Sequence, residues 1–226
     1  MAKKPPGLAV RRGRRLQEAA LRRFKQIYLK SFSPSERVDF RKLLGRIAEG
    51  KEWLFGAWSE GELLGFAVTI PLPGTDAHFL DYLAVAPQFR NHGIGSTLLG
   101  AIRRQLRAAG NASGIILEVK PDDHPRETEN ALRKRRIEFY RRNGARLVEC
   151  APHYRAPNLA GKGAVGYRLM WLPLSDGGQP PCGALLRRLI RSIFIQGYGR
   201  TDDDVLLRAV LKGVLRRRPQ SERVKQ

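Results

Sequence analysis

The sequence predicts an α+β fold in which helices flank a mostly antiparallel sheet, and three observations predict it. Two helix-periodic segments open the chain, strand-length apolar runs separated by tight turns follow, and helices then alternate with strands as far as Leu174. At 226 residues there is material for one sizeable core and a modest extension.

Taken in order, residues 1–15 are rich in Pro, Gly, Lys and Arg and read as a flexible basic arm. Leu16, Ala20, Leu21, Phe24, Ile27 and Tyr28 recur at helical spacing, which predicts a first helix ending before "SFSPSE". A second helix is expected from Ser35, with its hydroxyl as cap and Val38, Phe40, Leu43, Leu44 and Ile47 on one face, ending at Gly50. "WLFGAW", "ELLGFAVTIP" and "HFLDYLAV" read as an antiparallel meander because "SEGE" and "PLPGTDA" between them are turn-rich. Leu98 to Leu106 is helical, "GIILEV" is a buried strand, "ENALRKRRIEFYRRNG" is a basic helix, and "ARLVECA" and "VGYRLMWLPL" are two last strands. Residues 16–174 thus form the main domain and 175–183 a linker. Residues 184–215 form a C-terminal helical extension, with a helix start at Thr201 and three aspartates, and 216–226 a basic tail expected to be disordered.

Lys and Arg number 42 against 21 Asp and Glu, a formal charge of +21. That field attracts anions of any kind, nucleic acid and phosphorylated small molecules included. The two cysteines, Cys150 and Cys182, are far apart and lack a CxxC partner, so neither a disulfide framework nor a metal site is expected. Cys150 reads as a small core hydrophobe, and a reducing cytoplasm fits best. No apolar run approaches the roughly 20 residues of a membrane span, and the basic N-terminus lacks the apolar core of a secretory signal, which argues against export.

The segment "RNHGIGST" follows an apolar strand and enters a helix. Two glycines there let the backbone approach a ligand and aim free N–H groups at one point, which the helix dipole makes favourable for phosphate. A Walker A loop would need a lysine that "GIGST" lacks, and a dinucleotide fingerprint would need a small residue where Leu98 stands and a parallel setting that the meander contradicts. What remains is Arg90-x-x-Gly93-x-Gly95 after "LAVAP". With the later "FYRRNGARL" and the element order around both, the chain resembles the GNAT superfamily of acetyl-CoA-dependent N-acetyltransferases over roughly Leu16 to Leu174.

The resemblance implies a GNAT-like mixed, mostly antiparallel sheet splayed beside the motif strand. It implies acetyl-CoA as co-substrate, with the backbone of Leu83, Ala84 and Val85 along the pantetheine arm and the amides of Arg90, Asn91, His92, Gly93, Ile94, Gly95 and Ser96 on the pyrophosphate. The chemistry needs a base, since a lysine amine has a pKa of about 10.4 and an α-amine of roughly 8. Glu118, an acid between apolar neighbours in a strand, is the first candidate and Asp81 the second. Tyr140 resembles the family's general acid near the cofactor sulfur. At the position seven before that tyrosine, where near relatives often have Asn, stands Arg133. Asn130 is the alternative cofactor contact, and Arg133 is a candidate to grip a phosphate. No metal is called for.

The expected acceptor is a small-molecule or peptide amine, and the oligomeric state, a homodimer included, is left open. The competing reading is a basic binding module on the same fold that docks on RNA, the ribosome or an acidic protein. Intact Gly93, Gly95, Glu118 and Tyr140 argue against it. His78, at the start of the central strand, is the histidine to watch.

Overall fold

The computed structural model describes residues 4–110 and 112–216. The chain divides into two compact units. One comprises the chain up to Pro71, His78–Ala112 and Asn158–Gly163; the other comprises Leu72–Ala77, Ser113–Pro157 and the chain from Ala164 onward.

In the first unit four strands lie in the order β1 (Ala9–Gly13), β2 (Trp53–Ser59), β3 (Glu62–Leu72) and β4 (Ala77–Val85). β1 corrects the expectation of a flexible arm: it pairs antiparallel with β2 from Ala9 opposite Trp58 to Gly13 opposite Leu54, and the Arg12 guanidinium lies 3.5 Å over the Trp53 ring. A cation resting on an indole face is anchored in a way that basic composition alone does not reveal. Residues 1–3 and 217–226, the latter nearly all of the basic tail, lie outside the described residues.

The unit is held by an aromatic core. α1 (Glu18–Ser31) buries Phe24, Ile27 and Tyr28, one helical stripe, and α2 (Phe40–Ala48) buries Phe40, Leu43 and Ile47. These meet Phe66 and Tyr82 edge to face, at 4.5 Å for Phe24–Phe66 and 5.0 Å for Tyr28–Tyr82. The Tyr28 hydroxyl donates to the Val38 carbonyl and the Tyr82 hydroxyl accepts from the Val38 amide, so both buried phenols are satisfied. Ser35 does not start α2. Ser33 and Glu36 instead close a capping box on a single 3-10 turn, Pro34–Glu36; the chain is extended at Arg37, and Asp39 caps α2 by accepting from the Arg41 and Lys42 amides. α3 (Ile94–Ala108) buries Leu98, Leu99, Ile102 and Leu106 and packs on β2 and β1.

The second unit contains β5 (Gly114–Val119), α4 (Glu127–Arg142), β6 (Arg146–Leu147), β7 (Arg155–Pro157), β8 (Ala164–Gly166) and β9 (Arg168–Pro173). The order is β5-β9-β6, all antiparallel, and β7 with β8 forms a separate hairpin that the sequence pattern did not announce. β6 is shorter than "ARLVECA" suggests because the chain turns after Val148 toward Cys150. Beyond β9, α5 (Gly183–Ser192) runs into one wide π-helical turn, Ile193–Gly197, and α6 (Val205–Lys212) closes the described chain. Asp204, not Thr201, is the side chain that caps α6, accepting from the Leu207 amide. A mostly antiparallel seven-stranded sheet with flanking helices, beside the β7–β8 hairpin, is the α+β class expected.

The cysteines correct the sequence reading outright: Cys150 and Cys182 form a disulfide. Cys150 is buried, as expected of a small core residue, but it is bonded rather than free. Closing a loop of this length, 32 residues apart in sequence, contributes roughly 3–4 kcal/mol in the chain-entropy account. The inference of a reducing compartment loses its basis, which was unpaired cysteines.

Candidate active site

In the first unit the loop after β4 is built to present amides. A 3-10 turn, Pro87–Phe89, leads to Asn91 and Gly93, both left-handed at φ 68° and 76°, and Gly93 is the residue before α3. Alternating hand along a few residues turns successive N–H groups into one concavity, and the first-turn amides of α3 have no intrahelical partner. Side chains fasten the loop rather than line it: Arg90 Nε donates to the Val85 carbonyl at 3.2 Å, and His92 Nδ1 hydrogen-bonds the Arg90 carbonyl at 2.8 Å. The Arg90 contact means that the Val85 carbonyl, expected to face a pantetheine arm, already accepts one bond. A side-chain carbon built on Gly93 would stand 3.4 Å from Lys4 Cε. A lysine from the N-terminal segment therefore reaches this loop, a neighbour the motif could not indicate because it lies some ninety residues away.

Gly65 on β3 is a second residue that the sequence reading passed over. A Cβ there would stand 2.7 Å from the Ala84 carbonyl oxygen and 3.2 Å from Val85 Cα, and the Ala86 amide donates to the Leu64 carbonyl at 2.9 Å. The backbone of Leu83–Val85 is thus set by close approach of β3, which only glycine permits.

In the second unit Glu118, half-buried on β5 and opposite Leu169 of β9, is the centre of a hydrogen-bonded trio. Tyr154 Oη donates to one carboxylate oxygen and Tyr198 Oη to the other, each at 2.5 Å. Burial pushes the Glu118 carboxyl up to about 7 against the opposing pull of the two hydroxyls. The salt bridge to Lys120 or to an arginine of the following helix, weighed as its structural role, is not what holds this carboxylate; two phenols hold it.

Tyr140 is buried on α4, and burial raises its phenol above the ordinary value, with the Arg136 charge acting in the other direction. A phenol that stays protonated at neutral pH is in the right state to give a proton away. Asn130 and Arg133 each make a hydrogen bond within their own unit. Asn130 Oδ1 accepts from the His124 amide at 3.3 Å and Arg133 Nη1 donates to the Pro121 carbonyl at 3.2 Å, so both pin the long 121–126 connection that Arg168 also clasps through Asp122 at 2.7 Å. Asp81, the alternative base, sits half-buried on β4, and its charge adds to burial in raising the phenols of Tyr28 and Tyr82. His78 is buried 4.7 Å from the Trp53 ring and held down to about 4, by burial first and by Arg12 second. Among the described residues no cluster of His, Cys, Asp and Glu could hold a metal, and no helix is long and apolar enough to cross a membrane.

The fold and the sequence both have known relatives. The acetyltransferase (GNAT) family model matches residues 17–145, more than half of the chain. The fold is similar to that of a GNAT-family protein from Bacteroides thetaiotaomicron (TM-score 0.62, 21% identity, 80% of this chain and 92% of that one). It is also similar to an aminoglycoside 6'-N-acetyltransferase complexed with coenzyme A (0.58, 19%, 76% and 99%). A third similar structure is the ribosomal-protein-S18-alanine N-acetyltransferase from Escherichia coli (0.51, 19%, 76% and 99%). No curated protein matches the chain in sequence. With its glycine loop, its fold and a family match spanning most of the main domain, the chain belongs to the GNAT family of acetyltransferases.

Proposed function

We propose that the protein moves the acetyl group of acetyl-CoA to a primary amine, of a small molecule or a peptide, by direct attack within a ternary complex. The observation that carries this reading is Glu118, a half-buried carboxylate pushed up to about 7 and held by two hydroxyls. Such a group is ionised often enough at neutral pH to accept a proton and basic enough to keep it.

The residues present fit acetyl-CoA. Left-handed Asn91 and Gly93, the first-turn amides from Ile94 to Ser96 and the nearby Lys4 form a donor set suited to a pyrophosphate. Bound there, acetyl-CoA supplies an activated thioester. Leu83 and Ala84 present main-chain groups to the arm, Glu118 takes the ammonium proton directly or through a water, and Tyr140 gives its proton to the departing sulfur. Calorimetric titration with acetyl-CoA, desulfo-CoA and ATP tests the cofactor half. Tight, salt-resistant binding of acetyl-CoA over ATP is expected, whereas equal binding that fades with salt would leave only a generic anion surface. An amine-library screen with Glu118→Gln and Tyr140→Phe then tests the chemistry, with both variants expected to lose turnover rather than affinity.

A further inference from the structure

Both hydroxyls that grip Glu118 lie outside the segment the family model matches: Tyr154 and Tyr198 both follow residue 145. Tyr154 stands four residues after Cys150. Tyr198 stands just past the wide turn that ends α5, and α5 begins next to Cys182. The disulfide therefore joins the two segments that carry the two tyrosines. Around the same junction the Leu215 amide donates to the Cys150 carbonyl and the Gly183 amide to the Leu215 carbonyl, at 2.9 and 3.2 Å, and Arg187 reaches the carbonyls of Leu211 and Val214. Gly183 is left-handed, with the Arg216 carbonyl 2.8 Å from where a Cβ would stand, so the start of α5 is seated tightly. Phe194 is fully buried, its ring 5.9 Å from that of Tyr198 and 6.5 Å from that of Tyr154.

We propose that the C-terminal extension is a working part of the active site: Tyr198, together with Tyr154, is a positioning residue that fixes both oxygens of Glu118, and the Cys150–Cys182 disulfide holds this clamp closed. The inference rests on Glu118 being the base. Two neutral donors orient the carboxylate and favour its ionised form. Other charged and titratable groups around it are Lys120 just after β5, Arg168 at the start of β9 with its Asp122 partner, Tyr167, whose charge bears on Tyr154, and Tyr140 and Arg136 on α4. Each stays in place when Tyr198 alone loses its hydroxyl. In the reductive step a dithiol gives two electrons and two protons to the disulfide, leaving Cys150 and Cys182 as thiols while the reductant becomes a disulfide; the segment that carries Tyr198 then loses its covalent tie to the segment that carries Tyr154.

The experiment is the pH dependence of acetyl transfer in four proteins: oxidised wild type, Glu118→Gln, Tyr198→Phe and dithiothreitol-reduced wild type, the last checked by thiol count. Glu118→Gln should erase the acidic limb; a surviving limb would reject Glu118 as base whatever Tyr198 does. With Glu118 thus identified as the base, Tyr198→Phe on its own should move the limb upward by about one pH unit, the worth of one hydrogen bond to a carboxylate, with acetyl-CoA affinity unchanged. Reduction should move it the same way. An unmoved limb in Tyr198→Phe overturns the clamp, and an unmoved limb in the reduced protein overturns the role of the disulfide. If Tyr198→Phe fails to fold, as read by circular dichroism, the NMR titration of the Glu118 side-chain carboxyl in oxidised and reduced wild type decides, identical curves overturning the proposal.

Discussion

In the proposed reaction the loop of the first unit and the trio of the second work with different parts of the polypeptide. From Arg90 to Ser96 the groups proposed to bind are amides, placed by two left-handed residues and a helix start, and the side chains of Arg90 and His92 tie the loop to β4 and to itself. At Glu118 the working groups are side chains, drawn from residues 118, 154 and 198. A site made of backbone is local in sequence and tolerant of side-chain change; a site made of side chains is assembled by the tertiary fold and tolerates almost none.

The largest test of that contrast is Glu118→Gln. It should lower kcat by roughly 10²- to 10⁴-fold while leaving the acetyl-CoA Kd from calorimetry unchanged. The backbone site should fail the other way. Gly65→Ala forces a Cβ against the Ala84 carbonyl and should raise the Kd by roughly ten- to a hundred-fold, since misplacing a binding strand by about an ångström has effects of that order. Gly93→Ala, placed at φ 76° at a strain of about 1–2 kcal/mol, should raise it roughly five- to thirty-fold. If either glycine variant binds normally and turns over slowly, the division of labour is wrong.

Much of the first unit was legible because its determinants are short-range. The stripe Phe24, Ile27, Tyr28 and the motif at Gly93 each declare themselves within a few residues. β1 was not legible, because its place depends on pairing with β2 and on Arg12 meeting Trp53, across about forty residues. Lys4 and Gly65 escaped for the same reason. Glu118 was readable as an acid stranded among apolar neighbours, yet its partners were not, since nothing in the string ties 118 to 154 and 198. Cys150 and Cys182 misled because two cysteines carry no spacing signal, and only the folded chain brings them to a Cα separation of 5.4 Å.

Two smaller effects sharpen the comparison. Ser96→Ala removes a side chain but no amide, so it should change the Kd by less than about three-fold; a larger loss would make the loop a side-chain site after all. His78 supplies a pH control outside the chemistry. Its folded value of about 4 lies below the ordinary 6.5, so the unfolded chain binds the extra proton and stability is lost as pH falls from about 6.5 to 4, by about 3 kcal/mol at most. Thermal melts across that range should show the loss, and His78→Gln should flatten it without moving the acidic limb of catalysis.

The wide turn at Ile193–Gly197 sets the direction in which the chain leaves α5 toward Tyr198. A π-helical turn is an α-helix that has gained a residue, and each residue of an α-helix advances the chain by about 100° around the axis. Without the extra residue, Tyr198 would leave α5 on a different side and its hydroxyl would miss Glu118. Removing one residue from this turn should therefore carry the Tyr198 hydroxyl away from Glu118 while leaving the rest of α5 in register.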